Sequence, residues 1–445
     1  KGYTERLVMP KFKLNEEQIE AISTFVLGLV AEPPSSEYVY TPDQRSKDRN
    51  DGEILLRKFN CVSCHMLDMD KIEYGVTEGQ LTATDKDPGW HDFGVNSLLK
   101  MNPPVPAYTG RSINVGADGD QKALSTVEFR GMLKMVPDPK EEDPDFREYT
   151  FTTWEAAALT GPRRATDDGV KFPGSLLVIP EGRVAKLTPA QTGHFANWLV
   201  AQKVPSRTPD GFDPKGFDAA WQSSPPPLFR EGAKVQTDWL YRFLKQPERI
   251  RHTTAIRMPK FTLSDEEARI LANYFAAADG AEYPYKDIPQ SEPEYLAPAQ
   301  AEFMRDMAER HAHYEGAPDS YLQESWTVLT TELCVGCHAV GGREFTAKPG
   351  DKNVTHAPDL EGVRQRLRPQ WITTWLSNPA WVTPYTAMPL PFAAGKVKPG
   401  DKLFNGDPAH KTLGARDALL NYYYMLERRV EPTPLPVVPV QAANN

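Results

Sequence analysis

The sequence predicts a mainly α protein assembled from small, repeated helical domains, one of which carries a long mixed, β-containing insertion. Three observations lead there. The pentapeptide Cys-x-x-Cys-His occurs twice, at Cys61 to His65 and Cys334 to His338, and uses all four cysteines of the chain. The hexapeptide Met-Pro-Lys-Phe-x-Leu also occurs twice, from Met9 and from Met258. After each copy, apolar residues recur at helical spacing: Ile19, Ile22, Phe25 and Val26 in the first, Ile270, Leu271, Tyr274 and Phe275 in the second. A repeat of such long period reads as duplicated domains, not as a solenoid.

Composition is compatible with this class. A chain of 445 residues has room for two to four domains, and 25% charged with 40% hydrophobic residues is ordinary for globular units. The net charge of -9 argues against a nucleic-acid partner, which favours a basic surface. The 41 prolines imply long irregular connections. No run approaches the roughly 18 to 20 apolar residues of a transmembrane helix. The chain starts at Lys1 without an initiating Met, so the expectation is that a signal or anchor lies upstream.

The paired motif carries the chemistry. Two thiols and an imidazole at this spacing are what covalent haem needs: the cysteines add to the vinyl groups as thioethers and the histidine ligates iron from one side. Zinc would want four ligands in a closed site, and thiol redox chemistry has no use for the following histidine. Cys61, Cys64 and His65, then Cys334, Cys337 and His338, therefore predict two haem c groups.

In chain order, residues 1–31 hold the first Met-Pro segment and a helix whose N-cap Asn15 forms a capping box with Gln18. Glu53, Ile54, Leu55, Arg57 and Phe59 form a helix leading into Cys61, within a domain spanning 50–280. Its insertion, at about 70–220, contains turn-rich stretches at Asn102 to Pro104, Ala117 to Asp120 and Pro137 to Pro139. It also predicts a strand pair at Gly174 to Val178 and Arg183 to Leu187, and a helix near Pro189 to Lys203. Two readings stand for it, a lid that shields the haem and a docking module for partner subunits; docking is favoured, because long insertions on compact scaffolds tend to be functional. Downstream, Trp239 and Phe243 lie four apart on one helical face, ahead of Met258 and a second capping box, Ser264 with Glu267. Residues 281–317 read as a linker with a helix starting at Pro298. The second complete domain, 318–430, repeats the plan: Tyr321, Trp326, Leu329 and Leu333 precede Cys334, Trp371 and Trp375 lie four apart, and Met388 stands before Pro389. His311 and His313 read as solvent-facing, while His252 and His356 lie where a haem is wrapped and offer themselves as alternative sixth ligands. The tail, 431–445, is Pro-rich and extended.

These motifs resemble a multihaem c-type cytochrome built of tandem class I cytochrome c domains, similar to cytochrome c subunits of bacterial respiratory complexes. The resemblance implies a methionine as second axial ligand ahead of each closing helix, here Met258 and Met388. It further implies a proline carbonyl that orients the proximal imidazole, here Pro226 and Pro358, and aromatic walls for the porphyrins, here Trp239 and Trp371. Met9 has no attachment motif before it, so either the upstream sequence supplies a third haem or Met9 is a relic. His/Met ligation leaves no open iron position, so the implied role is electron transfer without catalysis of its own. The setting would be a multi-subunit membrane complex on the periplasmic side, such as a quinol:cytochrome c reductase or oxidase, with redox proteins as partners. The alternatives are a dihaem cytochrome c peroxidase-like enzyme and the cytochrome subunit of a periplasmic dehydrogenase.

Overall fold

A computed structural model describes residues 12–29, 41–76, 107–115, 122–143, 147–155, 157–159, 169–171, 173–204, 214–284, 287–310, 320–330, 332–341, 356–392 and 403–430. Met9, His311, His313, the turns at 102–104 and 117–120 and the tail from 431 fall outside them. The chain divides into Lys1–Lys47 and Asp48–Asn445. In the first unit the helix α1 (Glu16–Gly28) begins at a reciprocal cap. The Asn15 side chain accepts the Gln18 amide at 2.8 Å, and the Gln18 side chain accepts the Asn15 amide at 3.1 Å.

The second unit begins in α2 (Gln44–Lys58), which leads into the one-turn α3 (Cys61–Cys64). The chain then leaves for a sheet: β1 (Asp70–Val76), β2 (Ala107–Val115), β3 (Lys122–Met135), β4 (Glu148–Thr153), β5 (Ala157–Leu159), β6 (Gly169–Lys171), β7 (Leu176–Pro180) and β8 (Val184–Thr188). Six of these strands form one antiparallel sheet in the order β7-β4-β3-β1-β8, with β2 also paired to β3. The architecture is therefore mixed α and β, which corrects the mainly α expectation.

The reason lies in the alternation within these strands. Ile72, Tyr74 and Val76 occupy one face of β1, opposite Phe129 and Val127 of β3, and Phe151, Leu177 and Ile179 extend that layer across β4 and β7. Tyr74 meets Phe129 edge-on at 5.5 Å between ring centroids, and Phe129 meets Phe151 at 6.2 Å. Each fully buried side chain of this kind stabilises the fold by about 1.5–3 kcal/mol. The strand pair expected around Gly174 to Leu187 is also corrected. Both strands form, but β7 and β8 lie at opposite ends of the pairing order and do not pair with each other, although only the 3₁₀ turn at Glu181–Arg183 separates them in the chain.

After β8 come α4 (His194–Lys203) and α5 (Pro214–Ser223). Ala196, Val200, Phe217, Ala220 and Trp221 from these helices share a core with Met66 and Met69, beside the first motif, and with Met132 and Trp154 of the sheet region. The insertion is thus built into the first helical domain instead of standing beside it.

The remaining helices follow as α6 (Glu231–Lys234), α7 (Thr237–Lys245), α8 (Asp265–Ala278), α9 (Pro293–Arg310), α10 (Ser320–Thr330), α11 (Glu332–Val335), α12 (Val363–Arg366), α13 (Pro369–Ser377), α14 (Pro408–Leu420) and α15 (Tyr422–Val430). α9 opens at Pro293 and contains Pro298 in its interior, five residues later than the start, so the helix of the linker begins earlier than its second proline suggested. Among the described residues no helix is long and apolar enough to cross a membrane.

The duplicated plan is visible as a local two-fold. In each half a four-residue helix is followed after a short break by a nine-residue helix: α6 and α7 in one, α12 and α13 in the other. The breaks pair antiparallel through Val235 and Leu367. Gln236 donates its amide to the Arg366 carbonyl at 2.9 Å, and Arg368 donates its amide to the Lys234 carbonyl at 2.9 Å. Side chains reinforce the exchange, with the Gln236 amide reaching the Arg364 and Leu367 carbonyls at 2.7 and 2.8 Å, and the Arg368 Nε reaching the Val235 carbonyl at 2.8 Å. Leu240 and Leu244 of one half and Ile372 and Leu376 of the other thereby enter one apolar core.

Candidate functional site

Each Cys-x-x-Cys-His motif folds as a single helical turn. The His65 amide donates to the Cys61 carbonyl at 3.0 Å, and the His338 amide to the Cys334 carbonyl at 2.9 Å. A turn of this pitch places two side chains three apart on one face, with the histidine next along. The first turn starts from Asn60 in the left-handed region, φ 55°.

The two imidazoles are held in the same way. His65 Nδ1 lies 2.8 Å from the Pro226 carbonyl oxygen and His338 Nδ1 lies 2.6 Å from the Pro358 carbonyl oxygen. A carbonyl only accepts, so in each ring Nδ1 carries the proton and Nε2 keeps its lone pair. Burial lowers the pKa of both rings, against the carbonyl bonds that raise it, and so favours the neutral form. Burial also pushes up the Cys61 and Cys64 thiols and takes Cys334 to about 12. Thiols held in the protonated form make poor zinc ligands and slow partners for disulfide exchange.

Both motifs open into one continuous cavity of about 540 Å³. Its lining includes all four cysteines, His65, His338, Pro226, Pro358, Met258 and Met388. The aromatic pairs stand on its walls: Trp239 stacks on Phe243 at 5.0 Å and 19°, and Trp371 on Trp375 at 5.0 Å and 15°. Trp375 also donates its Nε1–H to the Met388 sulfur at 2.9 Å, which fixes that thioether at the wall. The structure thus brings together the thiol, imidazole, thioether, proline and tryptophan candidates named from the sequence that lie among the described residues. Two neutral imidazoles with free Nε2 atoms, two thiol pairs, two thioethers and flat apolar walls make a donor set that fits two covalently attached porphyrins.

The insertion helps to close the first half. Gly193, φ +76°, caps α4 and donates its amide to the Val62 carbonyl at 2.7 Å, inside the motif itself. The Leu67 amide is held by the Thr192 hydroxyl at 2.8 Å, and Phe195 reaches the cavity. His252 and His356 do not separate to the two pockets. Their rings stack at 3.7 Å and 6°, and their nitrogens lie within 4.8 Å of each other and of an Asp359 carboxylate oxygen. These three could hold a cation, although parallel rings send their lone pairs side by side and not toward a common point.

Sequence reasoning missed a group of charged residues on the cavity wall: Glu231, Lys234, Arg251 and Arg366, with the Tyr385 hydroxyl. The signal was present in the repeat. Lys234 and Arg366 both end the short helix that precedes the aromatic one.

Compared with known proteins, the chain matches no protein-family model, no curated protein and no solved structure.

Proposed function

We propose that the chain binds two haem c groups and moves single electrons through them as a subunit of a respiratory electron-transfer complex. Cys61, Cys64, Cys334 and Cys337 would form the thioethers, His65 and His338 the proximal iron bonds, and Met258 and Met388 the bonds from the opposite side. When bound, a His/Met haem supplies a one-electron couple at a six-coordinate iron. The observation that carries the reading is the matched treatment of both histidines. Each follows a thiol pair, has its Nδ1 fixed on a proline carbonyl and presents its remaining nitrogen in a cavity that also contains a methionine.

The chain's own groups have separate tasks in this reading. The proline carbonyls orient the imidazoles and raise their basicity. The Trp239 and Trp371 pairs make flat apolar walls that would exclude water from a bound porphyrin. Trp375 holds the Met388 sulfur in place. Covalent haem attachment fits a periplasmic setting, and the partners are redox proteins of a membrane-associated assembly.

The test is electron paramagnetic resonance of the oxidised protein, with covalent haem counted on the same sample. Two low-spin haems per chain support the proposal. A high-spin iron that takes up cyanide would replace it with peroxide chemistry, and absence of covalent haem would remove it.

A further inference from the structure

The seam between the two halves carries more cationic charge than its own carboxylates neutralise. Lys234 ends α6 and Arg366 ends α12, on either side of the Val235–Leu367 bridge, and Arg251 lies on the loop that follows α7. All three line the shared cavity. Lys234 is paired with Glu231 at 2.7 Å, and its Nζ also lies 6.0 Å from the Trp371 ring of the other half. Arg251 and Tyr385 line the same cavity, and the Arg251 charge disfavours that of Arg366 and of Lys234. Glu231 and Glu248 are the carboxylates that favour the Arg366 charge, and Glu231 already holds Lys234. The Arg366 Nε is shielded from solvent and has no hydrogen-bond partner among the described residues. Burial and the neighbouring Arg251 bring Arg366 down to about 10, so it remains charged at neutral pH. A buried guanidinium nitrogen without a partner is costly unless an acceptor meets it.

We propose that Arg251 and Arg366 form one anion-binding cluster that receives the carboxylate groups of both porphyrins, so that a single charged seam sets the potentials of the two irons together. The proposal rests on the haem reading above and adds a claim that reading does not need. Two independent pockets would each have their own counter-charge. Here Arg366 comes from the second half and Arg251 from the first, yet both line the one cavity that the two motifs share, and the Arg251 charge disfavours that of Arg366. The Arg fork suits carboxylates in a bidentate manner, and a lysine at the same place would still supply the charge that acts on the irons.

The experiment is an optical redox titration of Arg366→Gln, Arg251→Gln and Arg366→Lys, with covalent haem counted in each sample. Met258→Ala and Met388→Ala assign the bands to their halves. Removing a positive charge beside an iron disfavours gain of an electron. Each Gln variant should keep two haems and lower both midpoints, each by about tenfold in the reduction equilibrium, about 59 mV for a one-electron couple. Arg366→Lys should retain most of the wild-type values. A Gln variant that shifts only the haem of its own half, or neither, overturns the shared cluster while leaving the haem reading intact. A wild-type chain without covalent haem defeats the reading, and this proposal falls with it. If Arg366→Gln does not fold, Arg251→Gln from the other half decides the same question.

Discussion

Replacing Gly193 by alanine tests whether the insertion is part of the wall that supports the first motif. Gly193 has φ +76°, and a Cβ added there would lie 2.2 Å from the Met66 Cγ, 2.8 Å from the Met66 amide nitrogen and 3.1 Å from its Cα. The side-chain contact could rotate away. The backbone contacts cannot, because Met66 follows His65 directly and is itself buried. The left-handed backbone costs alanine about 1–2 kcal/mol, and forcing an extra methyl into packed surroundings costs about 1–3 kcal/mol more. The sum is about 2–5 kcal/mol. Gly280 supplies the control, since its φ is +66° but nothing lies within 4 Å of an added Cβ. Gly280→Ala should therefore show only the backbone cost, about 1–2 kcal/mol. Equilibrium unfolding in urea, followed by tryptophan fluorescence, measures both variants against the wild type. Equal losses for the two would refute the argument, because they would mean that α4 does not press on the chain beside His65.

Three further outcomes are expected. Tyr321→Phe removes the hydroxyl that donates to the buried Asp417 carboxylate at 2.5 Å, and should lower unfolding stability by about 1.5–3 kcal/mol in the same urea assay. Asp407→Ala removes the side chain that accepts the Ala409 and His410 amides at the start of α14, a loss of about 1 kcal/mol. Burial would raise the Asp407 carboxyl, but the bonds and charge of His410 and the two amides outweigh it and hold the pKa at about 2, below its ordinary 3.8. That contribution is present above 3.8 and lost as pH falls through 2, so the stability gap between wild type and Asp407→Ala should shrink over that interval. Met258→Ala and Met388→Ala should each turn one haem high-spin and leave the other low-spin; two unchanged spectra would contradict the ligand assignment.

What was legible in the sequence followed from local rules. The caps at Asn15 with Gln18 and Ser264 with Glu267 could be read because a capping box is complete within four residues, and both form in the structure. The helices before the motifs follow from periodicity in the same way. The sheet was less legible, because its partners are distant: Ile72 faces Phe129 across 57 positions of sequence, and β2, between them in the order of the chain, pairs with β3 as well. Turn residues dominated the reading of that region, although β3 alternates at its centre, where Val127 and Phe129 are buried on one face. β7 and β8 misled for the opposite reason, since nearness in sequence suggested a hairpin where the two strands lie at opposite ends of the pairing order. For the site, residue types and spacing named the thiols, imidazoles and thioethers. The charged seam escaped because Lys234 and Arg366 look like ordinary helix-end cations until Val235 and Leu367 bring them together.

The insertion starts and ends at one point. The Leu228 amide donates to the Met66 carbonyl at 2.7 Å, so the chain departs from the helical scaffold and returns to it at adjacent positions. Loop-closure entropy grows only with the logarithm of length, about 0.6 kcal/mol for each doubling. The scaffold therefore responds to where those two ends are held far more than to how much chain lies between them. Length can vary within the insertion at little cost, whereas its two ends and the residues that pack on Met66 and Met69 are fixed by the scaffold they complete.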